Sequence, residues 1–309
     1  MNIVFMGTPD FAVPILEAVH ERYGVGLVVT QPDKFVGRKR VLTAPPVKKM
    51  AETLNIPVFQ PKRIRHDHET ILAFKPDVIV TAAYGQIIPP ALLNVQPYGA
   101  INIHASLLPL LRGGAPIQRA IMQQHTKTGI TIMQMSEGMD EGPILMQRAI
   151  DIGPRETTLT LHDKLSQLGK TLVLEALEGL QKDTMTPQPQ DASNATYAPN
   201  LKREEEHLDF TRDVFALDAH IRAFYPKPNT YAKLDATNLK IIAAHPAEKT
   251  QNHAKPGTII SLDEGIHIAC GEGVLTIDRV QWPGKKALDA KTFMRGIGRT
   301  HLKVGMVLT

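Results

Sequence analysis

The first thirty residues alternate a short apolar run, a stretch with helical spacing and a second apolar run. Asn2 to Met6 is predicted to be a strand that ends at Gly7-Thr-Pro-Asp10, Phe11 to Arg22 has helical spacing, and Val25 to Thr30 indicates a second buried strand. This β–loop–α–β opening favours a parallel sheet, because parallel neighbours need a crossover connection. We therefore expect an α/β chain that begins with a doubly wound, Rossmann-like, mostly parallel sheet.

The same alternation continues to about residue 181. Further strands are predicted at Pro57 to Phe59, Asp77 to Ala82, Gly99 to Ala105, Gly129 to Met135 and Gly142 to Ile152. Helices are predicted at Pro45 to Leu54, His68 to Phe74, Pro116 to Gln124 and Thr157 to Leu180. The last strand alternates in hydropathy and is expected at a sheet edge, and residues 33–43 are expected to form a loop.

The pattern changes after residue 181. Lys182 to Asn200 is rich in Pro, Thr, Gln and Asn and lacks periodicity, as linkers do. A helix at Asp213 to Phe224 precedes five short strands, at Tyr231 to Leu234, Leu239 to Ala244, Thr258 to Ser261, Ile266 to Ala269 and Val274 to Val280. Such strands are typical of a small antiparallel barrel that is similar to an OB-fold. We expect a first domain at 1–181, a linker at 182–205 and a barrel domain at 206–309.

Positive charge is concentrated at the end of the chain. Residues 279–309 contain seven Lys or Arg and one acidic residue, a net charge of +6, whereas the other 278 residues carry −2. A basic tail of this kind favours a polyanionic partner, although a solvated basic face has the same composition.

Other features limit the class of protein. The single cysteine, Cys270, excludes an internal disulfide and a cysteine-based zinc site. No stretch approaches the ~20 apolar residues that a membrane span needs, and the first residues fit a strand better than a signal peptide. We therefore expect a cytoplasmic protein without a membrane partner.

Polar or Gly-rich segments follow four predicted strands. They are Gly7 to Asp10, Ala83 to Gln86, Asn102 to His104 and the loop that contains Asp140. Ligands of open α/β sheets bind outside the carboxyl ends of the strands, so these segments are expected at one edge. The sequence lacks both the G-x-G-x-x-G and the G-x-x-x-x-G-K-[ST] pattern, which argues against a nicotinamide or ATP site.

Asn102 and His104 are the strongest candidates for chemistry. Residues two apart in a strand point to the same face, so an amide and an imidazole would stand side by side. A lone His104 also fits a hydrogen-bonded core position, but a buried amide beside it costs ~1–3 kcal/mol if unpaired. Transfer of a carbonyl group needs a proton acceptor and an oxyanion donor. Asp140 fits the third member of a triad, although by spacing alone a turn residue in Gly138-Met-Asp-Glu-Gly142 is the better interpretation.

Several motifs together resemble the folate-dependent formyltransferases. They are Asn102-x-His104, Ser106-Leu-Leu-Pro109, Arg112-Gly113, Ala115-Pro116 and Asp140, which follows His104 by 36 residues. Other stretches resemble the branch of this family that acts on a charged transfer RNA: Phe5 to Ala12, Pro45 to Lys48, Val58 to Pro61, Gly129 to Met135, Gly284 to Lys286 and Phe293-x-x-Gly296.

The resemblance implies a formyl transfer. The donor would be 10-formyltetrahydrofolate and the acceptor the α-amine of methionyl-initiator tRNA, with no metal ion and with a single chain as the active species. Asn102, His104 and Asp140 correspond to the catalytic trio, with Asn102 and protonated His104 stabilising the oxyanion and Asp140 positioning the imidazole. The order of the proton transfers does not follow from the sequence.

The resemblance also implies two binding segments. The folate-binding motif corresponds to Ser106, Leu107, Leu108 and Pro109. The basic residues of the 33–43 segment correspond to a tRNA contact, and they are Lys34, Arg38, Lys39 and Arg40. On charge alone this segment also fits a solvated loop.

Two stretches of the second domain depart from the family pattern, and two other functions are compatible with the sequence. The segment Tyr225-Pro-Lys-Pro-Asn229 stands where the family has Asn-Pro-Trp-Pro-Gly, and Gln281-Trp-Pro283 stands where it has Gln-Pro-Ala. Trp282 is either a stacking platform for a base or a core residue.

One alternative function is that of a folate-dependent hydrolase, or of a transferase to a small amine such as a nucleotide sugar. Another is a tRNA-binding module with an inactive first domain.

Overall fold

The computed structural model describes residues 1–37, 39–247, 253–263 and 265–309. The chain divides into two compact units. The first comprises Met1–Pro116, Lys127–Asp151 and His162–Pro199, and the second comprises Ile117–Thr126, Ile152–Leu161 and Asn200–Thr309. Residues 182–199, expected from composition to form a linker, group with the first unit.

Among the described residues, nine strands belong to the first unit. They are β1 (Ile3–Gly7), β2 (Val25–Val29), β3 (Lys34–Val36), β4 (Val41–Thr43), β5 (Val58–Phe59), β6 (Val78–Ala82), β7 (Ala100–His104), β8 (Lys127–Gln134) and β9 (Ile144–Asp151). Seven of them form one sheet in the order β5-β2-β1-β6-β7-β8-β9. The pairs from β5 to β7 are parallel, and those of β8 with β7 and β9 are antiparallel. The Rossmann-like sheet and the edge position of β9 are thus confirmed.

The sheet has its switch point at β1. Strands β2 and β5 lie on one side of β1, and β6 and β7 lie on the other, so the strand order reverses there. Every residue of β1 and β6 is buried, as expected of central parallel strands covered on both faces. A crevice for a ligand is expected outside the carboxyl ends of β1 and β6.

Six helices occur in the described part of the first 181 residues. They are α1 (Val13–Tyr23), α2 (Pro46–Thr53), α3 (Glu69–Ala73), α4 (Pro90–Leu93), α5 (Pro116–Met122) and α6 (Thr158–Gln181). Prolines occupy the first turns of α1, α2 and α4, where a missing N–H removes no helical hydrogen bond. All of these helices except α4 were predicted within a few residues.

Residues 34–36 and 41–43 form the two strands of a β-hairpin, and the prediction of a loop there was wrong. Strands β3 and β4 pair in antiparallel register. Four apolar side chains of this hairpin are 56–63% exposed, and they are Phe35, Val36, Val41 and Leu42. Because no face of the hairpin is buried, the alternation that reveals a strand is missing.

The second unit contains an antiparallel sheet. Its elements are α7 (Val214–Phe224), β10 (Thr230–Leu234), β11 (Thr237–Pro246), β12 (Ile259–Ser261), β13 (Ile266–Ala269), β14 (Val274–Gln281), β15 (Ala287–Asp289), α8 (Ala290–Arg295) and α9 (Ile297–His301). The order is β10-β11-β14-β13-β12, with β15 also paired to β14. The sheet curls into a half-barrel, which confirms the small OB-like fold.

The basic tail forms short elements that were not predicted. Strand β15 has three residues, α8 has six and α9 has five, and a hydrophobic period cannot show in so few positions. Trp282 packs, partly buried, against the core of this unit and stacks on His301 with ring centroids 4.5 Å apart. None of the helices in the described ranges has both the length and the hydropathy for a membrane crossing.

Candidate active site

The carboxyl ends of the central strands meet at one edge of the sheet. Thr8, just after β1, donates from Oγ1 to the carbonyl oxygen of Tyr84, which follows β6, at 2.8 Å. Thr81, near the end of β6, donates to Oδ1 of Asn102 on β7 at 2.9 Å. Three of the predicted polar segments are therefore brought together at the switch point of the sheet.

His104 is the last residue of β7, and its side chain is buried. Its Nε2 lies 3.0 Å from the carbonyl oxygen of Leu111. Because a carbonyl oxygen only accepts, Nε2 carries the hydrogen and Nδ1 is the nitrogen left to gain or lose a proton. Nδ1 lies 3.7 Å from Oδ2 of Asp140. A protonated imidazole would therefore face a carboxylate.

Asp140 is held by the backbone around it. Its φ of +51° lies in the left-handed region, which aspartate tolerates better than most residues. The amide of Gly113 donates to Oδ2 at 2.8 Å. Gly113 has a φ of +119°, and a Cβ there would come within 2.8 Å of the carbonyl oxygen of Ala198, so only glycine fits. The surrounding backbone thus fixes the carboxylate that faces His104.

Gln190 holds the Asp140 loop, and it was not among the predicted site residues. Its Nε2 donates to the carbonyl oxygens of Asp140 and Gly142, each at 2.8 Å. Its Oε1 accepts from Nε and Nη2 of the buried Arg112, at 3.2 and 2.8 Å. Gln190 lies fifty residues from Asp140 in a stretch without periodicity, so no local sequence signal marks it.

Asn102 presents an amide at the same strand end. Thr81 donates to its Oδ1, which turns Nδ2 away from β6. In the part of the chain that the structure describes, this Nδ2 has no hydrogen-bond acceptor, and the residue is half-buried. Since Asn102 and His104 share one face of β7, an amide donor stands next to the imidazole.

The segment from Ser106 to Pro109 is a tightly held loop. Ser106 donates from Oγ to the carbonyl oxygen of Leu110 at 2.6 Å, and its own carbonyl accepts from Thr131 at 2.7 Å. Leu108 donates its amide to Thr131 and accepts from Gln147 at its carbonyl. Ser106 and Leu108 are buried, whereas two other members of the motif are half-buried, and they are Leu107 and Pro109.

Three of the four predicted basic residues lie on the exposed hairpin. Lys34, Lys39 and Arg40 are exposed, whereas Arg38 lies outside the described residues. The guanidinium of Arg40 lies over the ring of Phe35, 5.6 Å from its centroid, which is a cation–π arrangement. The hairpin therefore offers positive charge and an aromatic face to solvent.

Two further titratable groups lie near the strand ends. Burial raises the pKa of Tyr84 to about 12, and its hydroxyl has no hydrogen-bond partner among the described residues. Gln60, donating to Oδ1 at 2.7 Å, and Lys48, at 2.9 Å from Oδ2, hold the pKa of the Asp33 carboxyl below its usual range. Asp33 thus stays ionised, and neither group was predicted from the sequence.

The trio combines three functions in one place. The amide of Asn102 can donate to an oxygen that becomes negative, as an oxyanion hole does. The imidazole of His104 can exchange a proton through Nδ1, and Asp140 can hold that nitrogen's hydrogen. The arrangement suits transfer of an acyl-type group to a nucleophile. Sequence comparison agrees with this chemistry.

Residues 1–177 match the family model of formyl transferases, and residues 200–298 match that of the formyl transferase C-terminal domain. The chain belongs to the formyl transferase family. It is 51% identical over 312 residues to the methionyl-tRNA formyltransferase of Geobacillus thermodenitrificans, covering 99% of this chain and 97% of that protein. It is 47% identical to the methionyl-tRNA formyltransferase of Bacillus subtilis, and that match covers 99% of this chain and 97% of that protein.

Solved structures share the fold. The N-formyltransferase from Helicobacter canadensis, in complex with folinic acid and dTDP-3-aminofucose, superposes with a TM-score of 0.69 at 17% identity, covering 90% of this chain and 99% of that one. HypX from Aquifex aeolicus, in complex with tetrahydrofolic acid, superposes with a TM-score of 0.65 at 18% identity. That match covers all of this chain and half of HypX.

Proposed function

We propose that this chain transfers the formyl group of 10-formyltetrahydrofolate to the α-amine of methionyl-initiator tRNA. The observation that carries the proposal is the similarity along both units to methionyl-tRNA formyltransferases, at 51% identity over 99% of the chain. The N-formyltransferase structure from Helicobacter canadensis is only 17% identical and supports the fold alone. We place the reaction in the cytoplasm, where charged tRNA is used, and expect a monomer because one chain supplies the whole trio.

The donor supplies an activated formyl carbon, and the amine attacks it. We assign the stabilisation of the formyl oxygen, as it becomes negative, to a hydrogen bond from Asn102 Nδ2 and to the positive charge of protonated His104. Asp140 keeps the imidazole oriented and helps remove the amine's proton through a water. When the bond from the formyl carbon to N10 breaks, N10 takes a proton, so one N–H bond is lost and one is gained. The products are formylmethionyl-tRNA and tetrahydrofolate.

We assign folate binding to Ser106, Leu107, Leu108 and Pro109. Leu107 and Pro109 are half-buried and are the members able to contact a ligand. Ser106 and Leu108 fix the loop through their hydrogen bonds. We assign the tRNA contacts to the second unit and to Lys34, Arg38, Lys39 and Arg40 of the first.

One assay tests the proposal. The purified chain is incubated with 10-formyltetrahydrofolate and, in parallel, with methionyl-initiator tRNA, free methionine or a dTDP-linked amino sugar. We expect formyl-methionyl-tRNA to form, with a kcat/KM at least a thousandfold above that for the small amines. Faster formylation of the amino sugar, or release of formate without transfer, would overturn it.

A further inference from the structure

Three arginine side chains line one cavity of the second unit. The cavity has a volume of about 160 Å³, and Arg155, Arg222 and Arg279 supply its charge. Its walls are otherwise mainly apolar and include Ile221 and Ile242. About 10–15 Å³ of such volume is enough to hold one water, so the cavity is much larger than a single-water site. That space suits a group larger than one small inorganic anion.

Two of the arginines are already fixed in place by one buried carboxylate. Asp218 accepts from Nη1 of Arg155 at 2.7 Å with Oδ1, and from Nε of Arg222 at 2.8 Å with Oδ2. Arg155 also donates to the carbonyl oxygen of Ala244 at 2.7 Å, and Arg222 to that of Glu156 at 2.8 Å. Both guanidinium groups are therefore oriented before a ligand arrives, which lowers the entropy lost on binding.

Arg279, unlike Arg155 and Arg222, is not held by a carboxylate or a carbonyl oxygen of the described residues. Within the described ranges it forms no ion pair and no side-chain hydrogen bond, and it is exposed. Its neighbour Asp278 pairs with His245 at 2.9 Å. Asp289, opposite Arg279 on β15, uses its carboxylate to accept from the amide of Thr292 at 2.8 Å. The nearby acids are thus engaged elsewhere.

The cavity combines an excess of positive charge with an aromatic hydroxyl. Three guanidinium groups stand against the carboxylates of Asp218 and Asp289, which leaves one positive charge without a counter-charge among these groups. Tyr225, where α7 ends, is half-buried in the lining, and in the described part of the chain its hydroxyl has no hydrogen-bond partner. Guanidinium groups and a phenol donate, and phosphate oxygens accept.

We propose that this cavity binds a phosphate ester. Arg155 and Arg279 bind the phosphate oxygens, the Tyr225 hydroxyl donates to the same group, and the apolar wall at Ile221 and Ile242 covers the esterified sugar. The ester comes either from the backbone of an RNA, a source that rests on the proposed function, or from a free nucleotide. Nothing in this chemistry requires formyl transfer.

Arg279→Gln is the test variant, because its side chain is exposed and holds no other residue. Arg299→Gln is the matched control: it removes one exposed positive charge from the same unit, outside the cavity. Calorimetric titration with 5′-AMP and with inorganic phosphate is the first arm. We expect Arg279→Gln to weaken 5′-AMP binding about tenfold and the control to change it less than twofold. Tyr225→Phe should weaken it two- to fivefold without unfolding the unit.

Binding of uncharged tRNA at several salt concentrations is the second arm. If an RNA phosphate occupies the cavity, Arg279→Gln lowers the slope of log K against log salt by about 0.9 and Arg299→Gln leaves it unchanged. If a free nucleotide is the ligand, Arg279→Gln changes only the 5′-AMP arm, which also supports the phosphate-ester site. Equal behaviour of the two variants in both arms overturns the proposal, as does inorganic phosphate binding as tightly as 5′-AMP.

Wild-type formylation is measured on the same preparations. If the wild type is active and Arg279→Gln and Arg299→Gln bind 5′-AMP and tRNA alike, only the cavity proposal is overturned. Inactive wild type that still binds 5′-AMP through Arg279 overturns the proposed function alone.

Discussion

Thr81 donates a hydrogen bond from Oγ1 to the side-chain oxygen of Asn102 at 2.9 Å, across the parallel pair β6 and β7. Thr81 is buried, so this bond is shielded from water. The contact holds the Asn102 amide at the strand end, and the same hydroxyl also lies 3.0 Å from the carbonyl oxygen of Ile101. The donor proposed for the formyl oxygen is therefore positioned by a residue twenty-one positions earlier.

Replacing that hydroxyl should slow catalysis without unfolding the protein. Thr81→Val keeps the shape of the side chain but removes a hydrogen bond of net value about 0.5–1.5 kcal/mol, which corresponds to a kcat about two- to tenfold lower. Thr128→Val is the control, because the buried Thr128 hydroxyl has no partner among the described residues. Steady-state formylation is the measurement. Equal kcat values for the two variants would contradict the positioning of Asn102 by Thr81.

His104 should contribute most to the rate. Because Nδ1 of His104 is the nitrogen that can exchange a proton, His104→Ala should lower kcat/KM by roughly 10²–10⁴, the range for a general acid–base group. His125→Ala is the control, since His125 is a half-buried histidine that is not among the site residues, with Nε2 3.1 Å from Oε1 of Gln123. Circular dichroism checks the fold of both. Activity of His104→Ala within twofold of wild type would refute its assignment.

The hydrogen bonds from Gln190 to the Asp140 loop should affect kcat more than KM. Gln190→Leu removes both donors to the 140–142 backbone and leaves the buried Arg112 without its Gln190 acceptor, so we expect kcat to fall about tenfold. The KM for tRNA should change less than twofold, since Gln190 is not assigned to tRNA binding. Gln188→Leu is the control, because the side chain of Gln188 reaches only an exposed carbonyl at 3.3 Å. A change confined to KM would contradict the positioning of the Asp140 loop by Gln190.

The exposed hairpin should contribute to tRNA affinity through charge. Lys39→Gln with Arg40→Gln should flatten the salt dependence of tRNA binding, by about 0.9 in slope for each phosphate that the hairpin no longer neutralises. The KM for 10-formyltetrahydrofolate should not change. Lys62→Gln with Arg63→Gln is the control, because it removes the same charge from another exposed part of the first unit. If both double variants bind tRNA alike, the hairpin does not touch the tRNA.

The sequence was most informative where backbone geometry follows from topology. Parallel strands share one edge for their carboxyl ends, so the polar segments after β1, β6 and β7 were predicted to meet, and they do. The Asp140 loop was expected at the same edge, but the role of Asp140 beside His104 came from resemblance, because by spacing alone a turn residue is the better interpretation. Thr81 and Gln190 were missed because side-chain contacts between distant segments leave no period in the sequence.

The last prediction concerns the pH dependence of stability, through His220 of the second unit. His220 is buried, and its Nε2 lies 2.7 Å from the carbonyl oxygen of Glu205 while Nδ1 lies 3.0 Å from Nη1 of Arg212. A carbonyl only accepts and a guanidinium only donates, so the ring is neutral with its hydrogen on Nε2. Burial, with the charge of Arg212 adding to it, lowers the pKa of His220.

A histidine with a lowered pKa stabilises the fold only while it is neutral. As pH falls through the ordinary histidine pKa of about 6.5, the unfolded chain takes up a proton that folded His220 does not. The free energy of unfolding should therefore fall from about pH 6.5 downward, and the loss should level off below the lowered pKa. His220→Gln retains a donor and an acceptor but does not titrate, so its stability should depend less on pH in this window.

Urea unfolding followed by Trp282 fluorescence measures this effect, because Trp282 is the single tryptophan and belongs to the second unit. His253→Gln is the control, since His253 is an exposed histidine of the same unit. We expect the difference in unfolding free energy between about pH 7.5 and about pH 5.5 to shrink in His220→Gln and to stay at its wild-type value in His253→Gln. An unchanged difference in His220→Gln would mean that another group governs acid sensitivity, because the buried neutral ring is then not what the unfolded chain protonates.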